Sequence, residues 1–167
     1  SEGRAHWAAA DRLAQRLNHP FSTAWVLAFD HMHGVACDKA HALQASRRTL
    51  DFCYAQATPF WIAAAHVVHG WATFHLSDRE AGLEELRMGL AMYESTGSLL
   101  VQGVWMGLLA DCLANLGRLE EAEEALDEGM RRARLTGEHL GSVQLGTAKA
   151  MLAAAQGRDQ IGRASCR

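Results

Sequence analysis

The amino-acid sequence predicts an all-α protein, about eight helices arranged as a solenoid of helical hairpins with a 40-residue period. Three observations carry this. Shifted by 40, SDREAGLEELRMGLAMYESTG (77–97) lies over GRLEEAEEALDEGMRRARLTG (117–137), with Leu86 on Leu126, Gly89 on Gly129 and Thr96-Gly97 on Thr136-Gly137. Shifted back by 40, CDKAHALQASRRTLDFCYAQA (37–57) sets Asp38 against Asp78 and Leu50 against Leu90. Gly97, Gly117, Gly137 and Gly157 stand at steps of 20, each where a helix would stop. No segment alternates as a strand would.

Taken in order, the helices are expected at about 3–17, 20–35, 38–56, 59–76, 78–96, 98–116, 118–136 and 138–156. Pro20 and Pro59 open the second and fourth, since proline fits the first helical turn at no hydrogen-bonding cost. In the seventh, Leu119, Ala122, Leu126, Met130 and Ala133 form one apolar stripe. Glu120, Glu121, Glu123 and Glu124 precede Arg131, Arg132 and Arg134, complementing the helix dipole at both ends. Three hairpins result, 18–57, 58–97 and 98–137, followed by an unpaired first helix at 138–157. A hairpin has a face it cannot cover alone, so the hairpins are expected to stack. Gly89 and Gly129, at matching mid-helix positions, suggest close helix approach, and Gly70, Gly103 and Gly107 suggest it more weakly.

Residues 1–157 are therefore read as one repeat domain and a fragment of a larger chain. The tail RDQIGRASCR (158–167) has no apolar periodicity and reads as truncated or non-native, Cys166 included. With its following helix missing, 138–157 would leave Leu145, Met151 and Leu152 short of cover, which implies self-association through this helix.

LANLGRLEEAEEALDEG (113–129) resembles a tetratricopeptide turn, with Gly117 between helices and Ala122, Leu126 and Gly129 at the expected offsets. HPF (19–21), HGWA (69–72), EAGLEELRMGLAMYESTG (80–97), TGE (136–138) and KAMLAAAQG (149–157) extend the likeness. Together they resemble the tetratricopeptide-like C-terminal helical region of bacterial signalling proteins that carry a class III nucleotide cyclase domain and an AAA-type ATPase. The resemblance implies a scaffold for protein–protein interaction or intramolecular regulation. The alternative is a small-molecule effector-sensing domain of an ATP-dependent regulator. The groove positions it implies, counted back from the turns at Ser77 and Gly117, are Trp71, His75, Asp111 and Asn115, with His31 the equivalent in the first hairpin.

The residue content narrows the chemistry. The chain has 167 residues, 49% hydrophobic, with a formal charge of −3, so it offers no concentrated basic face for nucleic acid. No apolar run approaches the ~20 residues that span a bilayer. The four cysteines make no C-x-x-C pair, which suits a reducing, cytoplasmic setting. No phosphate loop, cyclase metal context or nucleophile motif occurs, so the expectation is a non-enzyme with no cofactor whose partner is a protein or another domain of its own chain.

His66 and His69 share a helix face as two metal ligands would, but the H-E-x-x-H arrangement is absent and a third ligand would have to come from elsewhere. Forty residues on, they correspond to Met106 and Leu109. Partly buried histidines hydrogen-bonded between helices are therefore expected, with no metal. Glu84 and Glu85 are assigned to a solvated helix face, and Trp7, Trp25, Trp61, Trp71 and Trp105 to the core.

Overall fold

The computed structural model describes residues 2–165, with side-chain surroundings for 5–157. Among these residues the chain is all-α: α1 (Glu2–Leu17), α2 (Pro20–Cys37), α3 (Lys39–Ala55), α4 (Pro59–Leu76), α5 (Arg79–Ser95), α6 (Gln102–Asn115), α7 (Leu119–Thr136) and α8 (Ser142–Ser165). It divides into two compact units, Ser1–Ser98 and Leu99–Arg167. No helix of the described residues is long and apolar enough to cross a membrane.

In the first unit, local chemistry sets the helix starts. Asp38 Oδ1 accepts the Ala40 N–H (2.9 Å), and Asp78 Oδ1 accepts those of Glu80 and Ala81 (3.0 and 3.1 Å). Each such cap is worth about 1 kcal/mol. Pro20 and Pro59 occupy first turns, and each is preceded by a left-handed residue two positions earlier, Asn18 (φ 47°) and Ala57 (φ 49°). Asparagine tolerates that conformation, whereas alanine is strained in it.

Hairpins α2/α3 and α4/α5 pack together, with α4 against both α3 and α2, and α1 against α2. The α4/α5 crossing is close enough to exclude side chains. A Cβ on Gly82 would lie 2.3 Å from the Phe74 nitrogen, and one on Gly70 would lie 2.4 Å from that of Leu86. One on Gly89 would lie 2.7 Å from the Val67 nitrogen. Surrounded on several sides, α4 buries both its apolar stripe (Ala64, Val67, Trp71, Phe74) and residues such as Ile62 and Val68. Ala24, Ala28, Cys53, Trp61 and Ile62 form a core cluster, with Trp25 and Phe60 packed on it.

The second unit is built from α6, α7 and α8, with α6 touching both others. Helices α6 and α8 start at 102 and 142, four residues later than the sequence suggests. Each follows a left-handed glycine, Gly97 (φ 72°) or Gly137 (φ 68°), and a short irregular stretch. Val101 before α6 is itself left-handed (φ 50°) and donates its N–H to Glu138 Oε2 at 2.7 Å. The α6 start is thus capped by a residue 37 positions downstream.

Gly117 (φ 74°) ends α6 as expected, but Gly157 interrupts nothing, and α8 runs through it to Ser165. The backbone of 158–165 is therefore helical. The side chains of 158–167, and Cys166 altogether, lie outside the described residues. Leu145 and Leu152 are buried, so the expected loss of their cover is corrected. Leu145 packs where Gly103 and Gly129 leave room. The large apolar side chains exposed in this region are instead Leu135, Leu140 and Val143.

Candidate functional site

The five expected groove positions fall into three places. His31 on α2 is fully enclosed and presents no atom to solvent. Its Nδ1 lies 3.3 Å from Thr49 Oγ1, which itself donates to the Ala45 carbonyl at 2.9 Å. Since the threonine proton is committed there, the imidazole donates through Nδ1, and Nε2 is left buried without a partner. Burial in these surroundings pushes the His31 pKa down to about 3.

Trp71 and His75 meet edge-to-face on α4 at 5.2 Å, with the Lys39 ammonium 5.4 Å from the indole centre. Trp71 is buried and His75 half-buried. Asp111 and Asn115 meet on α6, where Asn115 Nδ2 donates to the Asp111 carbonyl (2.8 Å) and to its Oδ1 (3.0 Å). These two belong to the second unit, and Trp71 and His75 to the first.

The densest polar cluster lies elsewhere. Glu85 on α5 accepts from His66 Nδ1 through Oε1 and from His69 Nδ1 through Oε2, both at 2.8 Å. His66 Nε2 lies 2.8 Å from Tyr54 Oη on α3, so one carboxylate ties α4 to α5 and its histidine ties α4 to α3. Glu85 is therefore not on a solvated face, as its sequence neighbourhood suggests; its side chain is only 20% exposed. Burial pushes its pKa up, but the hydrogen bonds and charge of the two histidines outweigh this and bring it to about 2. With both oxygens engaged, the carboxylate acts as a clasp and is not free to serve as a base.

The 40-residue shift sets Glu85, like the two histidines, against an apolar residue. Position 85 corresponds to Ala125, which is buried, as position 66 corresponds to buried Met106. Counted by the 40-residue shift, the polar triad of α4 and α5 thus stands against apolar residues of α6 and α7.

A second polar group was not anticipated from the sequence. Asp30 on α2, almost wholly buried, bonds His41 Nε2 at 2.8 Å and Arg48 at 2.5 Å, both from α3. An unpaired charge there would be costly, and the two donors compensate it.

Among the described residues, no group of three or more histidine, cysteine, aspartate or glutamate side chains is arranged to hold a metal ion. Burial raises the thiol pKa values of Cys53 and Cys112, which keeps both protonated and unreactive at neutral pH. Comparison of the chain with models of known families, with curated proteins and with solved structures found no match.

Proposed function

We propose that this chain is a tetratricopeptide-like repeat scaffold that acts by recognition, docking a protein or another domain of a cytoplasmic bacterial signalling protein of the cyclase/ATPase type. One packing feature carries the reading. In each unit a first helix packs on its own hairpin partner and also on the next first helix: α2 on α3 and α4, α6 on α7 and α8. That double contact is what a stack of hairpins requires. The residue matches quoted above supply the family likeness, and the engaged carboxylates and buried thiols favour recognition over bond chemistry.

The test is the reading frame that encodes the chain, followed by calorimetry between this chain and any ATPase or cyclase segment found there. Direct association, weakened by His75→Glu or Asn115→Arg at the solvent-accessible groove positions, is the expected result. Catalytic turnover by this chain alone, or no association with such a segment, would refute it. A second reading, effector sensing, draws on one specific feature, the cleft between α7 and α8.

A further inference from the structure

The α7–α8 cleft has a volume of roughly 490 Å³, inside the ~300–1,000 Å³ range of small-molecule sites. Its lining divides by chemistry. Met130, Ala133 and Leu145 supply apolar surface, while Arg134, His139 and Lys149 bring exposed basic groups to its edge. Among the described residues, none of these three basic side chains is paired with a carboxylate. Glu138 is the acid in the lining, but its Oε2 is held by the Val101 N–H and its Oε1 is closed off from solvent. Arg134 and Lys149 together outnumber this one carboxylate, so the net charge a ligand would meet there is positive, next to a surface that favours hydrocarbon.

Apolar surface flanked by guanidinium and ammonium groups matches a ligand that is apolar at one end and anionic at the other. We propose that this cleft binds a small amphipathic carboxylate, with its acyl or aryl body against Met130, Ala133 and Leu145 and its carboxylate between Arg134 and Lys149. The proposal rests on the effector-sensing reading. The two fail differently: saturable binding of charged and uncharged probes alike would sink the carboxylate assignment alone, whereas no saturable binding of either would sink the effector-sensing reading as well.

Gly146 provides a clean test, because it lines the cleft and has open space where a Cβ would stand. Gly146→Leu adds a side chain to the cleft lining at a position whose Cβ meets nothing within 4 Å, and it raises helix propensity, so the variant should fold at least as well as the parent chain. Decanoate is the probe, titrated into the full chain by calorimetry, with decanamide as the uncharged control. The expected result is saturable one-to-one binding of decanoate that Gly146→Leu abolishes. Removing the two charges in Arg134→Gln/Lys149→Gln should weaken it by about tenfold. Decanamide should bind the parent chain by a similar factor less tightly. Absence of saturable binding, binding undiminished in Gly146→Leu, or equal affinity for decanamide would each overturn the proposal.

Discussion

Replacing His31 by asparagine probes the enclosed imidazole through the pH dependence of stability. The folded chain holds His31 near pKa 3, whereas an unfolded histidine titrates near 6.5. Between these values the unfolded chain binds a proton that the folded chain refuses, so stability falls as pH falls. The slope approaches about 1.4 kcal/mol per pH unit, which integrates to about 2 kcal/mol between pH 7 and pH 5. Asparagine places an amide N–H near the position of Nδ1, preserving a donor for Thr49 while removing the ionisable group and the stranded Nε2. The variant should be less stable at pH 7, because its smaller side chain leaves space. Its loss between pH 7 and pH 5 should be about 2 kcal/mol smaller than that of the parent chain. Urea unfolding followed by circular dichroism and tryptophan fluorescence at both pH values measures the difference. Equal losses in the two proteins would refute the assignment of His31 as a histidine kept neutral by burial.

Other substitutions probe the packing and the clasp. Gly82→Ala pushes a Cβ into the Phe74 backbone and should cost about 3 kcal/mol in thermal or urea unfolding, whereas Gly146→Ala, with nothing within 4 Å, should gain up to about 1 kcal/mol. Glu85→Gln should destabilise by about 1–3 kcal/mol at neutral pH. Because the Glu85 pKa is depressed to about 2, the parent chain loses this advantage only as pH falls from about 4.5 through 2, and its melting temperature should converge on that of the variant over that interval. Ala57→Gly relieves a left-handed alanine and should raise the melting temperature, with a gain of about 0.5–1 kcal/mol.

Features with a local cause were the ones legible in the sequence. The helix starts near 38 and 78 were read from the repeat and have a local cause, the Asp38 and Asp78 carboxylates that reach the next free N–H groups, and Gly97, Gly117 and Gly137 stop helices because they accept positive φ. The starts of α6 and α8 were not legible. Leu99, Leu100 and Val101 read as helical, but Val101 is turned left-handed and its N–H is taken by Glu138, far away in sequence. Gly157 shows the limit of glycine as punctuation, since it stops a helix only where the backbone turns.

The histidine cluster was half legible. His66 and His69 stood out against apolar counterparts, but Glu85 was masked by neighbouring Glu84, which is exposed. Offsets counted from a turn do not say which face a neighbouring helix covers, and His31 lies on a covered one.

The bond from Glu138 to Val101 also bears on the order in which the second unit assembles. The first turn of α6 gains this partner only after α7 and the loop beyond it have emerged and folded back, so α6 cannot close its leading end as it is synthesised. A contact of such sequence separation is expected to form after the transition state, once the shorter-range pairings are in place. Glu138→Ala should accordingly leave the refolding limb of a chevron nearly unchanged and steepen the rate at which the native unit comes apart. Glu138 then acts as a latch on the finished unit, setting how long it persists while hardly affecting how fast it forms.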